Sequence, residues 1–546
     1  MSSCPIWSSL SRSVVNAIIA VCLLLPIGCT TATPHWNITA ESDTSCIELW
    51  HDMEQSFSNN DIYDVASARV GGYPFLRSNR FYAAAASQFE HPEQQRQIVH
   101  QLQQLDLEGR YRELNRLPSS EQQRLSQRWA GAPSLGALKA KVSRCSSKFL
   151  RQTFNQENFY QPLTQALPIA DDYSTWQRTV GIYPLASWFV SSSAHRAHLK
   201  IQQKVQAYDP TRQTQSSITY SPQVRRPLSH KAMRAILKST RDNWISTSLL
   251  SSADMQRIAH SWAPSLRQFI DPENGTNNLI GRVRRDNGTI NVDTQQPTVY
   301  YYTSHTLLQG QPTIQINYVF WYASNHSKKI QWWARGNMDG FTLRYTLTRT
   351  GELAMIDLIK NCGCYHGFIP NDALFDTENL KQPERGAQIL QHLPQHEERQ
   401  RLEVVLSDSH QVLHVSAADK NVPVQQSYQL RPYSDLEQLV DEEGHTCSLF
   451  DAHGIVPNTT RPEAAMLYSM GIKSVGSMRQ RGHQPITLID RDHFDNPHLF
   501  DQTFHYLQPP TRPDRYLRRS SSGLSKRVNS LKQMTQQPSP GKRLLP

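Results

Sequence analysis

The sequence predicts an α+β protein, with an N-terminal helical region packed on a mostly antiparallel β domain. Two observations predict it. Residues 46–165 place apolar side chains at helical spacing in several consecutive segments rich in Gln, Arg and Leu. Residues 299–359 instead alternate apolar and polar side chains with a period of two, the mark of half-buried strands. At 546 residues and 38% hydrophobic content, the chain can bury a large core and divide into two or three domains.

In the helical region, Ile47, Trp50, Met53 and Phe57 open a first helix, and Gly71-Gly72-Tyr73-Pro74 breaks the pattern. Further helices are expected over 79–89, 92–107, 119–129 and 135–154. A mixed helical and loop region follows over 166–295. There Asp172 or Ser174 caps a helix that Tyr183-Pro184 ends. Residues 208–226 are expected as a polar loop or extended arm, 232–249 as a weak helix, 252–271 as a helix leading to a strand, and 276–293 as surface turns.

The β-rich domain spans 296–507. Ile314, Ile316, Tyr318 and Phe320 oppose Gln315, Asn317 and Val319, and Phe341, Leu343, Tyr345 and Leu347 oppose Thr342, Arg344 and Thr346. With the turn Arg349-Thr350-Gly351-Glu352 and the apolar run 353–359, these form an antiparallel meander. Strands are also expected over 401–406, 411–415 and 426–430, and a short helix over 433–440.

The densest group of reactive side chains ends the meander, in Asn361-Cys362-Gly363-Cys364-Tyr365-His366-Gly367. Extended, it would set Cys362, Cys364 and His366 on one face, about 6.6 Å apart for neighbours. Two zinc-bound thiolates must be closer than that, at Zn–S bonds of about 2.3 Å, so Gly363 and Gly367 would have to bend it. Three readings stay open: a buried turn with structural cysteines, a disulfide such as one to Cys447, or a reactive site. In the last, Cys362, Cys364, His366 and His483 would bind zinc, or Cys364 and His366 would form a nucleophile pair. A second dense stretch gathers Arg479, His483, Arg491, His493 and Asp495 around an expected apolar strand over 486–489. His493 and Asp495 have the spacing of an oriented catalytic histidine or of a ligand and its partner. The plainer alternative is a hydrogen-bonded loop that packs the C-terminus on the sheet.

Residues 1–28 resemble an export signal: Arg12 precedes the apolar run 14–27, too short to span a membrane comfortably. Leu25-Pro26-Ile27-Gly28-Cys29 resembles the bacterial lipoprotein box, in which Cys29 carries lipid; Pro26 departs from it. Ordinary cleavage after Ala32 or a retained anchor are the alternatives. Residues 29–45 form a tether, and Thr30, in place of Asp after the cysteine, implies the outer membrane, facing the periplasm of a Gram-negative bacterium. Of eight cysteines, Cys46 and Cys145 flank the helical region and are a plausible disulfide in an oxidising compartment. The chain has 57 basic and 47 acidic residues, but the surplus sits in the Pro-, Ser- and Arg-rich tail 508–546, expected to be disordered. A near-neutral body argues against nucleic-acid binding, while the tail could meet anionic lipid or cell-wall polymer.

Several long phrases, among them Arg69-Val70-Gly71-Gly72-Tyr73-Pro74, Asp172-Tyr173-Ser174-Thr175-Trp176, Cys362-Gly363-Cys364-Tyr365-His366 and Met478-Arg479-Gln480-Arg481-Gly482-His483, resemble an uncharacterised lipoprotein family of Gram-negative proteobacteria. The resemblance covers residues 46–504, implies export and lipidation, and implies no activity. Two function classes result. One is a lipid-anchored envelope protein that binds or scaffolds at the outer membrane. The other is an envelope hydrolase or metal-dependent enzyme, which needs the Cys364–His366 segment and the His483–Asp495 loop to converge on one cleft.

Overall fold

The computed structural model describes residues 44–508, apart from 181–182, 211, 213–214, 224–226, 239–249, 271–277, 287, 326–331, 333–334, 383–386 and 420. The expected signal, Cys29, the tether before Thr44 and the basic tail after Gln508 lie outside the described residues.

The N-terminal region comprises α1 (Thr44–Asn59), a hairpin β1 (Ala68–Val70) and β2 (Tyr73–Ser78), then α2 (Arg80–Ala86), α3 (Pro92–Arg116), α4 (Ser119–Ala130), α5 (Leu135–Phe154) and α6 (Tyr160–Ala166). The break at Gly71–Pro74 is thus the turn of a hairpin. Leu49, Trp50, Met53 and Phe57 of α1 pack with Val142 and Phe149 of α5 in one core. Cys46 and Cys145 are joined there, their Cα atoms 5.4 Å apart and 99 residues apart in sequence. A fully buried Arg77 crosses this core, with Nε 3.2 Å from Asp106 Oδ1 and Nη2 2.7 Å from Glu113 Oε2. Gly109, inside α3, lies under it, and a methyl there would collide with the Arg77 guanidinium.

The chain continues through α7 (Thr175–Val180) and α8 (Tyr183–Gln206), β3 (Ser217–Pro222), α9 (His230–Lys238), α10 (Ser252–Trp262) and β4 (Ser265–Phe269). The capping hydroxyl of α7 is Ser174, whose Oγ accepts from Gln177 N at 3.3 Å. Tyr183-Pro184 begins a 24-residue helix rather than ending one; proline fits a first turn, where its missing N–H has no partner to lose. The hairpin β5 (Arg282–Asp286) and β6 (Thr289–Asp293) replaces the expected surface turns.

The meander follows as β7 (Thr298–Leu308), β8 (Gln311–Asn325), β9 (Gly336–Leu347), β10 (Leu353–Lys360) and β11 (His366–Pro370), then β12 (Phe375–Leu380), β13 (Leu402–Leu406), β14 (Val412–Ala417) and β15 (Gln426–Pro432). Ten of these strands form one sheet in the order β11-β10-β9-β8-β7-β15-β3-β4-β13-β14. It is mostly antiparallel; the β7–β15, β15–β3 and β4–β13 pairs are parallel. Because β3 and β4 pair inside it, the boundary drawn at 295 falls within the sheet. β3 also occupies the expected loop 208–226. Where a helix was expected over 433–440, a single 3-10 turn at Tyr433–Asp435 leads to β16 (Leu439–Val440), which pairs with β17 (Thr446–Cys447).

The sheet curls until its two edges meet. Residues 388–393 bridge them: Phe368 N donates to Gln388 O at 2.7 Å and Leu390 N to Phe368 O at 2.9 Å. On the other side, the Gln391 amide accepts from Val415 N at 2.9 Å and donates to Val415 O at 2.7 Å. The concave face holds Ile314, Ile316, Tyr318 and Phe320 together with Met233 and Leu237 of α9 and Ile258 of α10. The convex face, expected to meet solvent, is buried as well. Its polar row is paired: Asn317 Nδ2 donates to Ser304 Oγ at 2.8 Å, Gln315 Nε2 to Thr346 Oγ1 at 3.0 Å, and Arg344 Nε to Asp357 Oδ1 at 2.9 Å. Residues 478–504, ending in α12 (Leu499–Thr503) after α11 (Glu463–Met466), help to cover it, and β18 (Phe504–Tyr506) pairs with β12.

Gly109→Ala tests the packing around Arg77. In an open helix this change stabilises by about 1 kcal/mol. Here it is expected to destabilise by about 1–3 kcal/mol, as overpacking does, in urea unfolding followed by circular dichroism.

Candidate functional site

The candidate site lies where three distant parts of the chain meet. Residues 172–174 pair with 471–473: Lys473 N donates to Asp172 O at 3.0 Å, and Tyr173 forms a bridge with Ile472. The Tyr173 hydroxyl then ties down the loop beyond, donating to Thr487 O or Asp492 O, each at 2.8 Å. This leaves Asp172 at the wall of a cleft of about 390 Å³, lined by Asp171, Asp451, His453, Lys473, Arg479 and His483 among others.

Asp172 is 5% exposed and surrounded by donors. Arg479, fully buried, brings Nη1 to 3.5 Å of Oδ1, and His483 Nδ1 lies 3.1 Å from the same oxygen. His493 Nε2 lies 3.3 Å from Oδ2 and 3.4 Å from the Asp172 N–H. Burial opposes ionisation of Asp172, but His483, His493 and Arg479 outweigh it and hold the carboxyl below the usual carboxylate range. His483 Nε2 faces Val65 O at 2.8 Å while Nδ1 faces the carboxylate. Both nitrogens therefore meet acceptors, and only the imidazolium donates to both. Burial disfavours that charge; the Asp172 carboxylate and the Val65 carbonyl more than restore it and raise the pKa of His483 above its ordinary value.

The other sequence candidates are each engaged elsewhere. Asp495 accepts from Arg80 Nη1 at 2.8 Å, and the same nitrogen donates to Gly482 O at 2.9 Å, so the helical region grips the loop. His366 Nε2 lies 2.9 Å from Asp357 Oδ2, which also takes Arg344 Nη2 at 2.6 Å. Arg344 packs flat on Phe494, 3.6 Å from the ring centre, and clamps the His493 loop to the sheet. The run 486–489 is no strand; Pro485 and His493 form the one bridge there.

Cys362 and Cys364 are joined to each other, so neither pairs with Cys447, the one free cysteine among the described residues. The zinc set Cys362, Cys364, His366 and His483 does not assemble, because bonded sulfurs offer no thiolate and the two histidines face different aspartates. For the same reason Cys364 and His366 form no nucleophile pair. The two segments do touch: Arg479 N donates to Asn361 O at 3.0 Å. Their reactive side chains nonetheless lie in separate places: Arg479 and His483 line the cleft, while Cys362, Cys364 and His366 do not. Among the described residues one group does have metal-ligand geometry, Asp441, Glu443 and His445 on a solvent-facing turn.

Sequence reasoning offered Asp172 or Ser174 as a cap, of which Ser174 is the cap, and missed a second aspartate centre. Asp339, fully buried, takes His410 Nδ1 at 2.8 Å, Arg461 Nη2 at 3.0 Å and Lys360 Nζ at 3.3 Å. His410 also stacks on Tyr322, ring centres 3.7 Å apart. The available signal was a charged residue inside a strand, as Asp357 is in the apolar run 353–359.

The raised pKa of His483 sets a sign for the pH dependence of stability. Its contribution is complete below about pH 6.5, the unfolded value, and is lost as pH rises through the raised folded value. The urea midpoint is expected to fall between pH 6.5 and 8.5, and to fall less in His483→Gln; equal slopes would refute the imidazolium. Comparison of the chain with protein-family models, with curated proteins and with solved structures finds no match.

Proposed function

We propose that the chain is a lipid-anchored envelope protein that binds a small polar ligand in the Asp172 cleft, or scaffolds through it, at the outer membrane. The observation that carries the binding reading is an open cleft whose lining carries Asp171, Asp451, His453 and Lys473, while His366, His493 and Asp495 are engaged in ion pairs with other side chains. Such a wall can orient a ligand through Lys473, His453 and the carboxylates of Asp171 and Asp451 without any group poised over a reacting atom.

The anchor rests on the residues before Thr44: a charged start, an apolar run and Gly28-Cys29. Two disulfides, Cys46–Cys145 and Cys362–Cys364, suit an oxidising compartment. No helix among the described residues is long and apolar enough to cross a membrane, and attachment through lipid on Cys29 needs none.

Metabolic labelling with radioactive palmitate in a Gram-negative host tests the anchor. The protein is expected to take label and to sediment with outer membranes, and Cys29→Ser to lose both. Label retained by Cys29→Ser would overturn it.

A further inference from the structure

The two cysteines of the Cys-Gly-Cys turn differ in a way that a structural staple does not require. Cys362 is 3% exposed and packs among Val319, Trp321 and Met478 on the convex side of the sheet. Cys364, two residues on, is exposed to solvent. A bond between residues two apart closes almost no loop, so it removes little entropy from the unfolded chain. The Cys46–Cys145 bond, which is buried at both ends and spans 99 residues, has the stabilising geometry instead. Gly363 holds the turn at φ +83°, and a Cβ there would come within 2.5 Å of Pro485 O, so the turn is braced by the loop that also carries His493.

A carboxyl group stands beside the exposed sulfur. Glu463, at the start of α11, sets Oε1 3.7 Å from Cys364 Sγ. Burial raises its pKa above the ordinary carboxylate value, against the opposing pull of Arg461. Gly476, at φ +80°, leaves the carboxyl room, since a Cβ there would lie 2.5 Å from Oε1. Met466 and Tyr468, on the same short helix and the turn after it, are about half exposed.

We propose that Cys362–Cys364 is a redox-active disulfide that accepts electrons from cysteine pairs of extended polypeptides, with Cys364 as the attacked sulfur and Glu463 as proton donor. A substrate thiolate attacks Cys364 Sγ; a mixed disulfide forms, the Cys362–Cys364 bond breaks, and Cys362 leaves. The second substrate thiolate then attacks the substrate sulfur of the mixed disulfide. The substrate disulfide forms and Cys364 leaves, taking a proton from Glu463. Two electrons pass from the substrate dithiol to Cys362 and Cys364; of the two protons the substrate thiols release on ionising, one protonates the Cys362 thiolate by way of solvent and the other restores Glu463. The pair is returned to its oxidised state by the same exchange run backwards with a disulfide-bearing oxidant. This activity is independent of the Asp172 cleft and of the anchor.

The test uses the purified full chain and a synthetic peptide with two reduced cysteines, mixed without oxygen and quenched with N-ethylmaleimide. Mass mapping is expected to find Cys362 and Cys364 alkylated, Cys46 and Cys145 still joined, and peptide disulfide in equal amount, with near-ultraviolet circular dichroism unchanged. Glu463→Gln is expected to slow the transfer about a hundredfold, the lower end of what a positioned proton donor contributes. A pair that stays joined in the presence of the peptide overturns the proposal, whether or not dithiothreitol opens it. So does opening that abolishes the circular dichroism signal, which would make the bond a staple. Transfer at the unmodified rate in Glu463→Gln overturns the role of that carboxyl.

Discussion

A carboxylate taken out of water must be matched by donors, and the junctions of this protein depend on that constraint. An unpaired buried carboxylate costs several kcal/mol. Asp172, Asp339 and Asp357 are all buried, and each takes one arginine and at least one histidine: Arg479 with His483 and His493, Arg461 with His410, and Arg344 with His366. Lys360 adds to the second. In each case the carboxylate and its partners come from different parts of the chain, so the carboxylate is satisfied only when those parts are docked.

The same rule joins the helical region to the rest. Arg112 of α3 pairs with Asp64 and lies 3.5 Å from Glu437, which takes Arg481 Nη2 at 2.9 Å and Gln480 Nε2 at 3.0 Å. His483 ties Val65 O to Asp172, residues 418 and 311 positions away. A slipped docking would leave several charges dry and unpaired together, while the apolar contacts alone would tolerate some slippage. The polar contacts therefore set the register between regions, and the apolar clusters of the helical region and of the sheet's two faces supply most of the cohesion.

Local patterns were legible where one rule governs one element. The period of two placed Ile314, Ile316, Tyr318 and Phe320 on one face, and helical spacing marked Trp50, Met53 and Phe57 as core. The Cys46–Cys145 bond was legible because those cysteines flank a helical region. Long-range facts were not. Arg344 and Thr342 have the polarity of a solvent face, and only the tertiary structure covers them. Tyr183-Pro184 has the same composition whether it stops a helix or starts one. The fate of Cys362 could not be read either, because its nearest cysteine in sequence and a distant one in space look equally available. Asp172 was visible as a charge, but its two histidines lie over three hundred residues away.

The ends of the sheet are joined by a side chain. Across the seam from β14, the Gln391 amide takes the place of a peptide group and pairs with both the N–H and the C=O of Val415. A curled sheet with free edges would offer its unpaired backbone to any passing strand. Here one glutamine occupies that template at Val415 from inside the molecule and interrupts the edge of β14 without a further strand being spent on it. At the seam the Val415 N–H is held by a side chain and not by a neighbouring strand, so this amide should exchange with solvent through local opening rather than through unfolding of the whole.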